Sequence, residues 1–281
     1  MTKTTQQLKH RSFLKWAGGK YSLTEKINDH LPSGTTLVEP FVGAGSVFLN
    51  AHFEKYWIND INPDLIGLYQ TLKQHPEKLI KACKAMFTAE NNQADAYYAI
   101  RAQFNATTDT FNRSVMFVYL NRHGYNGLCR YNAKGGFNVP FGRYKAPYFP
   151  DNEMRYFAKK LQSAKITCLP FETIFKRARG SQVIYCDPPY VPISKTALFT
   201  QYAKNGFSLD DQTELARLAV HATKKQVPVL ISNHATDLTT MLYEDAQIST
   251  LQVKRSISRD GTKRQPVTEV LALFTPSNLP A

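Results

Sequence analysis

The chain has 281 residues, 43% hydrophobic and 20% charged, a balance that buries a core and excludes a disordered polymer. Lys and Arg number 35 against 22 Asp and Glu, a net charge of +13, and the isoelectric point is near 9.5. No apolar run is long enough to span a membrane, and residues 1–11 lack the apolar stretch of a secretory signal. Cys83, Cys129, Cys168 and Cys186 are too scattered for a disulfide framework or a zinc site. A cytoplasmic protein is expected. The basic excess fits a polyanionic partner, above all nucleic acid, or a merely solubilised surface.

Taken in chain order, the first feature is Gly18-Gly19-Lys20, which is no phosphate loop because Leu14 stands where the leading Gly belongs. Residues 36–41 read as a strand running into Val42-Gly43-Ala44-Gly45, a turn where a ligand can approach the backbone. Phe48 occupies the third glycine position of a dinucleotide motif, which leaves a nucleoside-bearing ligand without a pyrophosphate. A second strand, 56–59, ends at Asp60, whose carboxylate can bind ribose hydroxyls or cap a turn.

The alternation of strand and helix then stops between 62 and 145, where 64–87, 95–105 and 111–122 read as helices. Residues 130–143 read as a hairpin turning at Gly135-Gly136. Between Asp109 and Asp151 there is no acid, while Arg113, Arg122, Arg130, Lys134, Arg143 and Lys145 alternate with Tyr119, Tyr125, Tyr131, Phe137, Phe141 and Tyr144. Such a segment looks like a nucleic-acid contact surface. His123 within it has no second ligand at metal spacing and is read as a surface or DNA-facing residue.

Strands resume at 165–169 and 182–186, the latter followed by Asp187-Pro188-Pro189-Tyr190. Two prolines stiffen this backbone and remove competing donors, so acid and aromatic frame a slot for a planar amine; the alternative is an ordinary proline turn. Cys186, on a strand with no paired base, is read as core. Ser208 caps a helix through Asp210, Asp211, Leu215, Leu218 and Ala222, strands follow at 227–232, 251–256 and 267–274, and 275–281 is a loose tail. His234 is assigned a structural role. The fold expected is α/β with a mainly parallel sheet, divided into a catalytic part (1–61 and 146–281) and an inserted, mainly helical part (62–145) ending in the hairpin.

The blocks Phe13-Leu14-Lys15-Trp16-Ala17-Gly18-Gly19-Lys20, Glu39-Pro40-Phe41-Val42-Gly43-Ala44-Gly45-Ser46 and Asp187-Pro188-Pro189-Tyr190 together resemble the alpha group of amino-methyltransferases. With the segments from Leu120 to Asn132 and from Phe137 to Tyr144, and Leu230-Ile231-Ser232-Asn233-His234, the chain is similar to the Dam-type DNA adenine-N6 methyltransferases from about Phe13 to Phe274. The resemblance implies a Rossmann-like methyltransferase domain with an inserted target-recognition domain. It implies S-adenosylmethionine (SAM) as methyl donor, with S-adenosylhomocysteine as product and no metal. The substrate implied is adenine in double-stranded 5′-GATC-3′, reached by base flipping, in a monomeric, bacterial, nucleoid-associated enzyme of DNA methylation that serves either replication and mismatch repair or restriction defence.

Residue by residue, it gives catalysis to Asp187, Pro188 and Tyr190. It gives the cofactor to Trp16, Ala17, Gly18, Lys20, Glu39, Phe41, Gly43, Gly45, Asp60, Ile61, Phe171 and Asp187. It gives DNA contacts to Lys15, Arg101, Arg122, Tyr125, Asn126, Leu128, Arg130, Asn132, Pro140 and Arg143. On the same resemblance Arg130 reads a guanine, the alternative being one more phosphate contact, while Tyr125 wedges into the stack, Leu128 touches a thymine methyl and Arg143 meets phosphate. At Leu169-Pro170-Phe171 the polar residue many relatives carry before the aromatic is missing. A DNA-binding regulator that has lost activity is the reading in another class, and a methyltransferase of RNA or protein glutamine a third.

Overall fold

Strands form where short apolar, β-branched runs are bounded by turn residues: Thr36–Glu39 (β1), Lys55–Asn59 (β2), Ala164–Thr167 (β3), Gln182–Cys186 (β4), Val229–His234 (β5), Gln247–Val253 (β6) and Val267–Phe274 (β7). The computed structural model describes residues 8–190, 207–253 and 267–276. The sheet order is β3-β2-β1-β4-β5-β7-β6. β1 pairs parallel with β2 and β4, and β4 with β5, whereas β7 lies antiparallel between β5 and β6. The order reverses between β1 and β4, and it is beyond the carboxyl ends of strands at such a switch point that open α/β sheets bind ligands.

The helices are Thr24–His30 (α1), Ser46–Asn50 (α2), Pro63–Gln74 (α3), Pro76–Ala85 (α4), Ala94–Ala106 (α5), Thr110–His123 (α6), Asp151–Leu161 (α7), Phe171–Arg177 (α8), Leu209–Thr223 (α9) and Asp237–Leu242 (α10). Two compact units emerge: Met1–Asn28 with Val42–His52 and Asp60–Cys168, and Asp29–Phe41 with Phe53–Asn59 and Leu169–Ala281. The first is wider than the expected 62–145 segment. Phe157 of α7 packs with Phe13, Phe48 and Tyr69, and Lys73 Nζ donates to the Ala164 carbonyl at 2.7 Å, so helices on both sides of that segment's edges share one core. In the second unit Val38, Ile184, Ile231, Leu215, Leu218 and Phe274 are buried together.

Several expectations need correction. The single helix expected over 64–87 is two, broken at His75 (φ −135°, ψ 55°), because Pro76 has no N–H and drives the preceding residue out of the α region. The hairpin over 130–143 exists only as isolated bridges, Tyr131 to Phe137 and Gly124 to Phe141. Pro140 brings no donor to a ladder, and Asn132 Oδ1 takes the N–H groups of Lys134 and Gly136, each at 3.0 Å. β6 starts at Gln247, four residues before the expected 251; 254–256 of that expectation, and 277–281 of the tail, lie outside the described residues. Ser208 caps α9 in a box with Asp211, as its sequence indicates. Among the described residues no helix is long and apolar enough to cross a membrane.

Candidate active site and nucleic-acid interface

In the first unit the glycine turn is built by left-handed backbone at Gly43 (φ +48°) and Gly45 (φ +72°). A Cβ on Gly43 would sit 3.0 Å from Trp16 Nε1, and one on Gly45 would meet the Phe157 ring at 3.0 Å. Glycine is therefore required twice over, by conformation and by space. Tyr69 Oη donates to the Gly43 carbonyl at 2.6 Å, and Gly45 N–H to the Val42 carbonyl at 2.8 Å.

Asp60 clasps this turn. Its Oδ2 accepts Gly43 N–H at 3.0 Å and its Oδ1 accepts Asn62 N–H at 3.0 Å. Burial pushes its carboxyl up, against the opposing pull of the Asn62, Gly43 and Ile61 N–H groups. The helix cap itself is Asn62, whose Oδ1 accepts from Asp64 and Leu65, so Asp60 caps a turn and not α3. A carboxylate has about four lone-pair directions, and the three N–H groups of the turn leave one of them open. Beside it Ile61 is 69% exposed, an apolar side chain suited to the face of a planar base. Ala17 and Gly18 are exposed, while Lys20 is buried with Nζ on the Gly18 carbonyl at 2.8 Å.

In the second unit β4 ends at fully buried Cys186 and delivers Asp187. Ser232 Oγ on β5 lies 3.2 Å from Asp187 Oδ1 and 3.0 Å from Tyr185 Oη. Gln212 of α9 donates to the Pro189 carbonyl at 2.7 Å and accepts from Asn233 at 3.2 Å. Tyr190 Oη donates to Glu269 Oε2 at 2.9 Å, and the His234 ring meets Tyr190 edge-on at 4.7 Å. Burial pushes the Tyr190 hydroxyl up, so it remains a neutral donor. Pro188 and Glu39 are buried. Phe41, Phe171 and Phe207 form an aromatic triangle with centroids 5.5 Å apart. Cys186 is core, its thiol raised by burial, and Asp187 and Glu39 add to the effect. The sequence does not announce Asn59, which ties Pro40 to Leu169 by donating to both carbonyls at 3.0 and 2.9 Å.

The residues assigned to DNA all belong to the first unit. Tyr125 (52% exposed), Asn126, Arg130, Asn132, Pro140 and Arg143 face solvent, and Leu128 is half-buried. Asn126 (φ +53°) and Arg143 (φ +53°) hold left-handed backbone without being glycine, a conformation that costs energy and clusters at ligand-binding loops. Several of these residues also build the arm. Arg101 Nη1 and Tyr97 Oη both donate to the Val139 carbonyl at 3.0 Å, and Pro140's carbonyl accepts Tyr125 N–H at 2.9 Å. Lys15 and Asn121 exchange reciprocal bonds of 2.8 and 2.7 Å, and Lys15 Nζ lies 3.9 Å from the centroid of the Tyr144 ring. Burial, then Arg122, lowers the Lys15 ammonium. Arg122 Nε donates to the Tyr148 carbonyl at 3.0 Å.

Two members of the basic segment are not at its surface. His123 is 1% exposed, with Nδ1 3.0 Å from the Tyr119 carbonyl and its ring against Tyr119 and Phe87. It belongs to the core because it falls on the buried side of α6. Arg113 is turned inward onto Asp64, with Nε to Oδ1 at 2.8 Å and Nη2 to Oδ2 at 3.0 Å. Among the described residues no group of His, Cys, Asp and Glu is arranged to hold a metal ion.

Compared with known proteins, residues 16–257 match the family described as D12 class N6 adenine-specific DNA methyltransferase. The chain is 56% identical over 269 residues to the DNA adenine methylase of Vibrio cholerae serotype O1, covering 95% of this chain and 97% of that protein. Identity to the DNA adenine methylase of Escherichia coli K12 is 52% over 268 residues, covering 95% and 96%. To that of Haemophilus influenzae it is 52% over 271 residues, covering 95% of each.

Proposed function

Because the chain belongs to the D12 class of N6 adenine-specific DNA methyltransferases, among those of the Dam type, we propose that it methylates adenine N6 in double-stranded GATC, with SAM as donor and the target base flipped out. The observation that carries the reading is Asp187 at the end of β4, its carboxylate met by a serine hydroxyl and followed by two prolines and an aromatic. The donor supplies a methyl group on a sulfonium, which leaves as a neutral thioether.

Adenine N6 is a weak nucleophile because its lone pair is delocalised into the ring. Asp187 and the Pro188 carbonyl accept its two hydrogens in this reading, turning the lone pair out of conjugation. Tyr190 stacks on the base, its hydroxyl held by Glu269. Positioning and electrostatic stabilisation then suffice without a covalent intermediate, and the proton that N6 sheds on gaining the methyl passes to water. The adenine reaches these groups only outside the duplex, at a cost of about a few kcal/mol. Asp60 would accept from a ribose hydroxyl of the donor and Ile61 would offer its side chain to the adenine, while Trp16 and Lys20 would hold the methionine portion. In the DNA, Arg130 reads a guanine, Leu128 touches a thymine methyl, Tyr125 wedges into the stack, and Arg143 and Lys15 contact the backbone.

The test is transfer of tritium from labelled SAM to two duplexes that differ only in GATC against GTTC. Label is expected on the first alone; equal incorporation in both overturns the sequence assignment.

A further inference from the structure

A bidentate reading of guanine O6 and N7 requires a guanidinium placed to within about half an ångström, yet Arg130 lies in an exposed arm with only isolated β-bridges. One backbone bond holds it directly, Asn138 N–H to the Arg130 carbonyl at 3.0 Å, and the rest of its constraint comes from side chains. On one flank Asn62 Nδ2 donates to Cys129 Sγ at 3.5 Å. On the other, Tyr131 Oη donates to Asp64 Oδ2 at 2.7 Å. Asn62 is the N-cap of α3 and Asp64 lies in its first turn, so both neighbours of Arg130 are fastened to one helix end. Asp64 cannot drift, because Arg113 grips it with two bonds while donating its Nη1 hydrogens to the Phe104 and Thr107 carbonyls at 2.8 and 2.7 Å.

The guanidinium is oriented as well. Arg130 Nε donates to Asn138 Oδ1 at 2.7 Å and Nη2 to the Asn138 carbonyl at 3.2 Å. The Nε edge is thereby used within the protein, and the Nη1–Nη2 end is turned to whatever the arm meets. Burial pushes the Tyr131 hydroxyl up, and Cys129 and Asp64 add to this, so it stays a donor across the working pH range.

We propose that Tyr131, Asp64, Asn62 and Asn138 are positioning residues for guanine recognition: they clamp both flanks of Arg130 to the start of α3 and present its guanidinium end-on. The inference rests on the reading that Arg130 recognises guanine. Tyr131→Phe keeps the ring that packs on Phe137 and deletes only the hydroxyl, which bonds Asp64 and also meets Asn62 and Cys129 of the same clamp.

The measurement is kcat/KM for wild type, Arg130→Ala, Tyr131→Phe, Asn138→Ala and the double variant Arg130→Ala/Tyr131→Phe, on GATC and on duplexes altered at each guanine, with melting temperatures alongside. Arg130→Ala should lose about ten- to a hundredfold on GATC and little on the duplex altered at the guanine it reads. Tyr131→Phe and Asn138→Ala should show the same selective loss, about three- to tenfold. Tyr131→Phe should cost nothing more once Arg130 is gone. Equal losses on every duplex, or unchanged preference for GATC, in Tyr131→Phe would overturn the clamp; were that variant not to fold, Asn138→Ala decides on the same criterion. Equal losses on every duplex for Arg130→Ala itself would instead remove the guanine reading.

Discussion

The segment after Asp187 and the arm around Arg130 are fixed by opposite means. Asp187 leaves a strand whose last four residues are buried, and the groups that meet it and its neighbours come from β5, β7 and α9: Ser232, Glu269 and Gln212. The sheet sets their positions, and a side chain there has little freedom to adjust. Around Arg130 there are only isolated bridges and single backbone bonds such as Asn138 N–H to the Arg130 carbonyl, and side-chain bonds such as Tyr131 to Asp64 and Arg101 to Val139 do the rest of the fixing. Damage at the first place should abolish a step, and damage at the second should grade it.

The sharpest use of that contrast is Asp187→Ala. It removes the acceptor assigned to the N6 hydrogens during attack, so single-turnover methyl transfer at saturating SAM should fall by about a hundred- to a thousandfold. Duplex affinity measured by anisotropy should stay within about a few-fold, since the arm is untouched. A variant retaining a tenth of the rate would show that chemistry does not depend on this carboxylate.

His123 limits the contrast, because the base of the arm is rigid. Burial pushes its imidazole down to about 4, and Lys15 and Arg122 facing it act in the same direction against the Tyr119 carbonyl bond. The unfolded chain takes up that proton below about 6.5 and the folded chain resists it. The stabilising contribution is thus complete above about pH 6.5, is lost as pH falls towards 4, and changes no further below. Urea denaturation should show about 2 kcal/mol lost between pH 6.5 and 4.5 through this residue. In His123→Phe, which keeps a ring against Tyr119 and Phe87, that part of the pH dependence should vanish. An identical pH dependence in both proteins would mean the imidazole is not sheltered.

The same contrast explains what could be read without a structure. The glycine turn, Asp187-Pro188-Pro189-Tyr190 and the Ser208–Asp211 cap are local, and each residue type answers to a demand within a few positions. The arm's framework is not local. Arg113 looked like one more surface cation because Asp64, its partner, is 49 residues away, and His123 stands among polar and basic neighbours while its ring points inward. Helix α2 escapes a periodicity search because all five of its residues are buried. Helix α7 does show its signal, Met154, Phe157, Ala158 and Leu161 after Pro150, but lies beyond the point where the helical stretch was taken to end. The early start of β6 is masked by Gln247, Ser249 and Thr250, side chains that a two-sided core would not select.

Asp60 tests whether the glycine turn behaves as a fixed site or an adjustable one. Its bonds to the Gly43, Asn62 and Ile61 N–H groups hold the turn, and its remaining lone pair is assigned to a ribose hydroxyl. Loss of such charge-assisted contacts costs about 1.5–3 kcal/mol, so calorimetry on Asp60→Ala should show SAM binding about ten- to a hundredfold weaker. Unchanged affinity would leave the carboxylate as a turn clasp only. Asp60→Asn separates the two duties, since its single amide oxygen can keep one backbone bond but not the charge.

The smallest expected effect lies inside the rigid region and asks how rigid it is. Tyr185 is 1% exposed and its hydroxyl meets Ser232 Oγ at 3.0 Å. A buried hydroxyl places its hydrogen on an acceptor, so Tyr185 donates to Ser232. The hydrogen of Ser232 is then left for Asp187 Oδ1 at 3.2 Å or the Cys186 carbonyl at 3.3 Å. Tyr185 thus biases which way the serine points, and the serine steadies the carboxylate. One such bond is worth about 1 kcal/mol. Ser232→Ala should lower kcat at saturating SAM by about five- to tenfold while KM for duplex holds, because duplex binding does not depend on the orientation of Asp187. Tyr185→Phe should give a smaller loss, and none when Ser232 is already alanine, since the tyrosine acts only through the serine. Independent, additive losses from the two changes would mean that each merely loosens the core, and that the sheet alone holds Asp187 in place.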